Sequence, residues 1–489
     1  MKLEIELCNK DYFCQQSIPI ILRLMNGSKD TCIPYRFNET DVLSFELSNE
    51  EGKTLATANG YTAVERRGRK PIKILQNDLK VKTLSAYEKV EIQEELLRFI
   101  PVNKCGSYNL KALVQFEPQG ISLISNTVSL NVKETYCKWF DYNDSENVFF
   151  FIQYTHNNLL GHITSRKKTS GFRKGALAIV EGLPQGLLSE SDFLVQPHDT
   201  THNYYRWIFF HREKELIACK FNGNTFSDFY SDTYTKSWFV VGRPVQHQDY
   251  SVSVMMMDDQ KNIHRIKYDN ELNYISNDFL VTLDCSPQTI TCSTDIFGRL
   301  YLAHETEASL PVVLRVFEKN MLAANRIVID KKGIPFLNKN DTGVPDIKVL
   351  SLNVSVKNHN AMALLALLLV GDEWTRKMYM IKVPINPADK DEMLLIEQPV
   401  GGLLIEENES VKTGHIVQDN KGSLHTVFCS THGKLFYSKH GEYPGFVFST
   451  DAKQKSPQLL VTLSGDIHLI YSEPSLGIKQ QVLYQAPKK

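Results

Sequence analysis

The segment that decides the fold runs from Asp419 to Phe428 and reads Asp-Asn-Lys-Gly-Ser-Leu-His-Thr-Val-Phe. An Asp and a Gly turn the chain, and an apolar strand that opens with Leu-His follows them. The same pattern returns at Asp258…Ile263-His264, Asp295…Gly298…Leu300-Tyr301 and Gly465…Ile467-His468. A hairpin that recurs every ~40 to 60 residues is typical of a β-propeller.

Seven apolar segments after residue 138 extend this pattern along the chain, and each predicts the strand that starts a blade. Their midpoints advance by about 50 residues, which is near the length of a four-stranded blade. Seven blades are therefore expected, with six as the alternative. The segments are Phe149-Tyr154, Tyr204-Phe210, Tyr250-Met257, Thr289-Asp295, Leu350-Val356, Gly414-Asp419 and Gln458-Leu463.

The first 135 residues have a different organisation, with short alternating segments bounded by turn residues. This spacing predicts an immunoglobulin-like β-sandwich over 1–135, followed by the propeller over 138–489, and hence an all-β protein. Tyr108 stands where such sandwiches have a tyrosine corner, and Asn49-Glu50-Glu51-Gly52 predicts a hairpin turn. The predicted strands are Leu3-Leu7, Ile18-Met25, Leu43-Leu47, Val90-Phe99, Tyr108-Phe116 and Thr127-Val132.

This region resembles the bacterial β-sandwich family of intracellular proteinase inhibitors. The resemblance is carried by Ser44-Phe45-Glu46-Leu47, by Leu84…Tyr87-Glu88…Glu91 and by Gly106…Tyr108…Leu110, and covers about a quarter of the chain. It implies a cytosolic sandwich, and protease inhibition is the activity associated with it. No reactive-loop motif is found to carry over.

Length and composition favour an ordinary soluble protein. The 489 residues carry 55 Lys and Arg against 56 Asp and Glu, so bulk attraction to nucleic acid is not implied. The N-terminus alternates apolar and charged residues, unlike a secretory signal, and the longest apolar run, Ala361 to Val370, is too short for a bilayer and predicts a buried strand. Nine cysteines without CxxC spacing favour a reducing, cytoplasmic compartment.

The repeat around Asp419 followed by Leu435-Phe436-Tyr437-Ser438 resembles the repeats of sialidase-like propellers. That family's Ser-x-Asp-x-Gly-x-Thr-Trp motif is missing, and the nearest match, Ser293 to Leu300, has its Gly one residue late and no Trp. The resemblance implies blade architecture, and a glycan-binding or glycoside-processing propeller is the alternative function. A sialidase would also need three arginines, for which Arg206, Arg243 and Arg315 are candidates, but pairing with local carboxylates or capping of blade edges is the favoured interpretation of these residues.

The candidate binding residues lie in three loops predicted at a face of the propeller, because such loops are where binding residues concentrate. His198 and His202 have the spacing of a helical metal pair, but the surrounding residues are polar and turn-rich, which favours a solvated loop over a metal site. The predicted binding residues are His156, Asn157, Asn158, His198, Asp199, His202, Asn338, Asn340 and Asp341.

The strongest charge feature is a basic cluster in the predicted sandwich, formed by Arg66, Arg67, Arg69, Lys70 and Lys73. Its Arg-Gly-Arg-Lys-Pro core resembles a minor-groove hook, so a nucleic-acid-associated subunit is one alternative. A solvated loop between two sandwich strands is the favoured interpretation, because isolated basic clusters are common on neutral proteins.

The sequence contains no phosphate-binding, dinucleotide-binding, nucleophile-elbow or zinc-protease motif. No catalytic residue, cofactor or metal is therefore predicted. The function favoured is a cytoplasmic, non-enzymatic scaffold or adaptor that holds protein partners through propeller loops and sandwich edges. Glycan processing, protease inhibition and nucleic-acid association are the alternatives.

Overall fold

The structure is a computed structural model. It describes residues 1–35, 37–60, 79–102, 104–143, 148–154, 159–168, 171–174, 177–179, 193–195, 206–212, 215–221, 226–233, 238–242, 244–247, 249, 251–269, 273–284, 286–287, 289–295, 297–306, 311–330, 347–357, 360–371, 377–385, 393–399, 410–440, 442, 445–449, 457–462, 464–473 and 477–485. Between residues 136 and 239 the description covers the backbone alone, except at Ile163, Ser165 and Leu177.

The chain forms two compact units. The first comprises Met1–Thr135 together with the short segments Gly175–Ile179 and Pro474–Gly477. The second comprises Tyr136–Lys174, Val180–Glu473 and Ile478–Lys489. No helix in the described residues is long and apolar enough to cross a membrane.

The first unit has strands β1 (Lys2–Leu7), β2 (Asp11–Phe13), β3 (Pro19–Met25), β4 (Thr31–Pro34), β5 (Leu43–Asn49), β6 (Thr54–Asn59), β7 (Val81–Leu84), β8 (Lys89–Glu95), β9 (Gly106–Phe116), β10 (Ile121–Ile124) and β11 (Val128–Lys133). Its described helices are short 3-10 turns at Phe37–Glu39, Leu96–Arg98 and Glu117–Gln119. One sheet has the order β1-β3-β8, another has β2-β11-β9-β5-β6 with β10 on β9, and β4 pairs with β7. Alternating side chains of both larger sheets are buried in one core, where Phe45 and Phe99 pack with ring centroids 4.7 Å apart.

Two local predictions for this unit are confirmed in detail. The phenol of Tyr108 donates a hydrogen bond to the Lys104 carbonyl at 2.7 Å, as a tyrosine corner requires. Gly52 closes the predicted turn with a φ of 79° and donates its N–H to the Asn49 carbonyl at 3.0 Å.

All six strands predicted for this unit are found, but the prediction of one strand over Val90-Phe99 is wrong at its end. The strand stops at Glu95, and a 3-10 helix follows at Leu96–Arg98. The Glu95 carboxylate accepts the N–H groups of Ile18 and Leu97, which caps the helix and diverts the chain from the sheet.

The second unit consists of successive antiparallel sheets, and the first three comprise β12 to β25. Sheet 1 has β12 (Tyr136–Asn143), β13 (Val148–Tyr154), β14 (Leu159–Lys168) and β15 (Gly171–Lys174), after which β16 (Ala178–Ile179) belongs to the first unit. Sheet 2 has β17 (Phe193–Val195), β18 (Arg206–Arg212), β19 (Glu215–Phe221) and β20 (Phe226–Thr233). Sheet 3 has β21 (Trp238–Val240), β22 (Val245–Gln246), β23 (Val252–Asp258), β24 (Asn262–Tyr268) and β25 (Tyr274–Thr282), with β21 and β22 both on β23.

The remaining sheets follow the same chain order. Sheet 4 has β26 (Ile290–Thr294), β27 (Leu300–Glu305), β28 (Val312–Glu318) and β29 (Met321–Ile329). Sheet 5 has β30 (Ile347–Lys357), β31 (Asn360–Val370), β32 (Lys377–Pro384) and β33 (Leu394–Pro399). Sheet 6 has β34 (Val411–Gln418), β35 (Leu424–Ser430), β36 (Lys434–Lys439) and β37 (Gly445–Ser449), and sheet 7 has β38 (Gln458–Val461), β39 (Ile467–Glu473) and β40 (Gly477–Tyr484).

Neighbouring sheets touch mainly through the strands at their start. Contacts run from β12 to β17, β18 to β21, β22 to β26, β26 to β30, β30 to β34 and β34 to β38, and the sequence of contacts closes from β39 back to β12. Sheets 5 to 7 are also linked by hydrogen bonds, because the Asn353 amide donates to the Ile416 carbonyl at 3.1 Å and the Leu459 N–H donates to His415 Nδ1 at 3.2 Å. This second unit is therefore propeller-like and entirely β in its described residues.

Each of the seven predicted blade strands is found, one in each of the seven sheets that the described residues of the second unit form. The prediction that each begins its sheet holds for β26, β30, β34 and β38 but is wrong for β13, β18 and β23, which stand second. In those three sheets the starting strands have weaker apolar signals, since β12 contains Lys138 and Asp141, β17 has three residues, and β21 and β22 are separated pieces. The apolar run at Ala361 to Val370 is confirmed as strand β31, and every residue of the run except Met362 is buried.

Candidate functional site

The loop residues predicted to bind partners lie outside the described residues, so they remain predictions. They are His156, Asn157, Asn158, His198, Asp199, His202, Asn338, Asn340 and Asp341. The basic cluster of Arg66, Arg67, Arg69, Lys70 and Lys73 also lies outside the described residues. No group of three or more potential metal ligands occurs in the part of the chain that the structure describes.

Of the three arginines considered for carboxylate binding, the structure describes the side chain of Arg315. It is buried in β28 with 9% exposure, and its Nε donates to His304 Nε2 at 3.3 Å. His304 Nδ1 lies 2.9 Å from the Glu305 carbonyl, so Nδ1 carries the proton and Nε2 accepts. Burial, reinforced by the charge of Arg315, lowers the pKa of His304, and this pair is therefore a neutral imidazole bound to a buried guanidinium.

The recurring turns are built by one set of hydrogen bonds. In the turn between β26 and β27, the Asp295 carboxylate accepts the N–H groups of Phe297 and Arg299, and the Gly298 N–H donates to the Asp295 carbonyl at 3.0 Å. Asp419 makes the same contacts between β34 and β35, and Asp258 makes the two carboxylate contacts between β23 and β24. The Thr462 hydroxyl replaces the carboxylate before β39 by accepting the Asp466 N–H at 3.0 Å. The recurring sequence motif is thus a turn in which the side chain of the first residue accepts hydrogen bonds from the backbone N–H groups that follow.

The Asp419 turn continues into a buried chain of polar side chains. His425 Nε2 lies 3.2 Å from the Asp419 carboxylate, and His425 Nδ1 lies 2.7 Å from the Tyr437 hydroxyl. His425 is fully buried, and burial lowers its pKa despite the nearby carboxylate. The neutral ring therefore donates from Nε2 to Asp419 and accepts the Tyr437 proton at Nδ1.

The pKa shifts of Asp419 and Tyr437 indicate the role of this Asp-His-Tyr chain. Burial raises the pKa of Asp419, but its bonds from His425 and two backbone N–H groups outweigh burial and hold the pKa below the usual range. Burial also raises the pKa of Tyr437 well above its usual value. Each group is thus stabilised in one protonation state, and His425 is engaged at both ring nitrogens, an arrangement that fixes the turn.

A second His contact lies in sheet 3, where His247 Nε2 is 2.6 Å from the Ser253 hydroxyl. A His next to a Ser can activate a nucleophile, but Ser253 is fully buried in β23. Burial together with Lys267 and Arg265 lowers the pKa of His247 to about 4, against an opposing effect of Asp249. This contact is structural, because a substrate cannot reach the hydroxyl.

The feature that fits a binding role is an apolar surface on the outer strands of sheets 3 and 4. We call it the outer apolar surface, and its strands β25 and β29 contact each other. Six large apolar side chains here are between 43% and 73% exposed: Tyr274, Ile275, Phe279, Met321, Leu322 and Ile327. Ala323, Ala324 and Asn325 of β29 are exposed as well.

The charges beside this surface are engaged within the protein. Arg326 Nη2 donates to the Pro384 carbonyl at 2.8 Å and also to the Ile385 carbonyl. Asp278 accepts from the Ser276 hydroxyl at 2.8 Å and from Arg265 at 3.4 Å. The surface therefore offers apolar contact with little free charge, as the core of a protein interface does.

Sequence reasoning missed this surface. Met321 to Ile329 is apolar enough to be a buried strand, and nothing in the sequence distinguishes a fourth, outer strand from a second, buried one. The strand also lacks the Lys, Glu or Pro residues that usually protect an exposed strand, which favours the wrong, buried interpretation.

Comparisons with known proteins find similar solved structures but do not assign the chain to a family. No protein-family model matches the sequence, and no curated protein matches it. Among solved structures, the BP39L lectin from Burkholderia pseudomallei has a TM-score of 0.44 at 9% identity, covering 73% of this chain and 97% of its own. The periplasmic gluconolactonase PpgL from Pseudomonas aeruginosa has a TM-score of 0.41 at 11% identity, covering 78% of this chain and 96% of its own. At these values the likenesses assign neither a ligand nor a reaction to this chain.

Proposed function

We propose that the chain is a non-enzymatic, cytoplasmic scaffold or adaptor that binds a protein partner. The observation that carries this proposal is the outer apolar surface on β25 and β29. Large apolar side chains that are exposed on neighbouring strands of a folded protein mark interaction sites, because leaving them in water costs free energy that a partner recovers. Phe279 and Ile327 are 54% and 58% exposed and are the proposed anchors.

The architecture proposed for this scaffold is an immunoglobulin-like sandwich joined to a seven-bladed propeller. The tyrosine corner of Tyr108 supports the first assignment. Seven antiparallel sheets in chain order among the described residues, with contacts that close from β39 to β12, support the second. Such a framework holds its surface strands rigidly, which reduces the entropy lost on binding.

The test is partner capture with a matched pair of variants. Full-length protein carrying an affinity tag is compared with a Phe279→Asp/Ile327→Asp variant, and bound proteins are quantified by mass spectrometry. Two carboxylates placed in the interface would remain desolvated and unpaired, so we expect at least a tenfold loss of a stoichiometric partner.

The control is Ile124→Asp, which adds a carboxylate at another exposed strand position, 65% exposed in β10. This variant should retain the partner that the wild-type protein captures. Retention of the same partner by the double variant, or the lack of any stoichiometric partner on the wild-type protein, would refute the proposal.

A further inference from the structure

Two cysteines of the first unit lie at the same end of its larger sheet. Cys14 directly follows β2, and Cys105 directly precedes β9. Both strands pair with β11, where Tyr12 and Gly106 lie opposite the same residue, Val132. The fold thus brings together, on the two strands that flank β11, cysteines that are far apart in the sequence.

The side chains of these cysteines meet at the core of the unit. Cys14 is 1% exposed and belongs to the buried cluster, and the half-buried Cys105 packs against that cluster. Both residues are thiols in this structure, and the thiol of Cys105 is hydrogen-bonded to that of Cys14. A disulfide first requires that the two side chains lie close together, and this contact meets that requirement.

Hydrogen bonds hold the backbone on both sides of the contact. The Cys14 N–H donates to the Lys133 carbonyl at 2.9 Å. Next to Cys105, the Lys104 carbonyl accepts the Tyr108 hydroxyl at 2.7 Å. Burial raises the pKa of Tyr108, and the two nearby cysteines act in the same direction, so the phenol stays protonated and keeps this bond. The two thiols therefore contact each other from backbone segments that are held in place.

We propose that Cys14 and Cys105 form an oxidation site, at which hydrogen peroxide converts the two thiols into a reversible disulfide. Peroxide first reacts with the more accessible Cys105 sulfur: the O–O bond breaks, a sulfenic acid forms and water leaves. The Cys14 sulfur then attacks the Cys105 sulfur, the S–O bond breaks, and the hydroxyl leaves as a second water with the Cys14 proton. The two sulfur atoms together lose two electrons, which the peroxide gains.

The disulfide would stabilise the first unit against unfolding. It joins residues that are far apart in the sequence, so the unfolded chain loses conformational freedom while the folded backbone is already in place. A disulfide that forms only under oxidation also fits a reducing compartment, where such bonds are transient and respond to oxidants. This site lies in the first unit and is independent of the proposed partner of the outer apolar surface.

The test is peptide mapping of the full-length protein after oxidation. The hydrogen bond with Cys14, together with burial, raises the pKa of Cys105, so the protein is treated with hydrogen peroxide at pH 8.5, where more of the reactive thiolate forms. Remaining thiols are alkylated, and a tryptic digest without reductant is examined by mass spectrometry. Trypsin releases Cys14 in residues 11–23 and Cys105 in residues 105–111, each without a second cysteine.

We expect the link between these two peptides to be the main cross-link of the folded protein and to disappear with dithiothreitol. Oxidation should also raise the midpoint of thermal unfolding. The variant is Cys105→Ser, which should lose both effects. The matched control is Cys32→Ser, which should keep both, because Cys32 is also partly buried in this unit but its sulfur lies 3.7 Å from the Thr83 hydroxyl.

Oxidation of wild-type protein unfolded in urea is the second comparison, and it does not depend on the folding of any variant. Without the fold, Cys14 should link to several cysteines with no preference for Cys105. The inference would be overturned if the folded protein formed this cross-link no more than others, or if folded and unfolded protein formed it equally. The same rise in the unfolding midpoint of oxidised Cys105→Ser would also overturn it.

Discussion

Asp419 shows how one side chain determines a local structure. It is 7% exposed, and its carboxylate accepts the Lys421 and Ser423 N–H groups at 2.9 and 2.8 Å as well as His425 Nε2. Glycine follows at position 422, where φ is 89° and a side chain would be strained. The charge of Asp419, the turn at Gly422 and the position of the buried His425 ring therefore depend on one another.

We predict that Asp419→Asn lowers the free energy of unfolding by about 1–2 kcal/mol, because the charged acceptor of three hydrogen bonds becomes a neutral amide. The matched control is Asp269→Asn. Asp269 also accepts a backbone N–H four residues later, from Asn273 at 2.8 Å, but at an exposed site. Its substitution should cost about 0.5 kcal/mol or less. Urea unfolding of both variants measures the difference, and equal losses would contradict the role assigned to Asp419.

The second prediction for a single residue is that His247 makes the folded protein less stable in acid. The pKa of His247 is about 4 in the folded protein, lowered by burial and by Lys267 and Arg265. Below about pH 6.5 an unfolded chain protonates this ring, and the folded protein does not until about pH 4. The free energy of unfolding should therefore fall as pH decreases from 6.5 to 4, by on the order of 1 kcal/mol per pH unit from this group.

His247→Gln tests whether His247 causes this pH dependence, because the variant lacks the titrating ring and retains polar atoms near Ser253. Urea unfolding at pH 7, 5.5 and 4.5 should give a shallower pH dependence for the variant than for the wild-type protein. Burial also lowers the pKa of His304 and His425, so some slope should remain. Identical slopes would show that His247 does not contribute.

At the scale of the element, close packing of β34 against sheet 5 explains Gly414. A Cβ at this position of β34 would lie 2.6 Å from Leu367 Cδ2 and 3.3 Å from the Val427 carbonyl oxygen. Leu367 is fully buried in β31, where close packing restricts its movement. Gly414→Ala should therefore destabilise the protein by about 1–3 kcal/mol through overpacking.

The control for Gly414 is Gly298→Asn. Gly298 has φ of 76°, and a Cβ added there would have no atom within 4 Å, so only backbone conformation is at issue. Asn tolerates this region better than other residues, and the cost should be about 1 kcal/mol or less. Thermal unfolding compares the two variants, and a larger loss at Gly298 would contradict the packing argument.

The elements that could be predicted from sequence are those with a local signal. The Asp419 turn, the Asn49 turn and the Tyr108 corner each depend on contacts between residues close in sequence, and all three are found. The starting strands of sheets 1 to 3 were missed because an interrupted or charged strand has no clear period of its own. The outer apolar surface was missed because the exposure of β29 depends on its place as the last strand of sheet 4 in the described residues, which its own apolar pattern does not reveal.

At the scale of the molecule, the core of the first unit is contained in a continuous stretch of chain. Among the residues that the structure describes, its buried cluster lies entirely between Leu3 and Val132. The later segment of this unit adds a contact in which the Leu177 N–H donates to the Gln15 carbonyl at 2.7 Å. The main core thus forms within residues 1–135, and the later segment supplements it.

We therefore predict that a fragment of residues 1–135 folds without the rest of the chain, because a domain of this size can bury enough apolar surface to fold alone. Circular dichroism should show β structure, and urea should unfold the fragment in one cooperative transition. Phe45→Ala is the reference for core loss: Phe45 is fully buried against Phe99, so this change should cost about 3–5 kcal/mol. A fragment that unfolds without cooperativity, or that is indifferent to Phe45→Ala, would mean that residues beyond 135 are needed to complete the core.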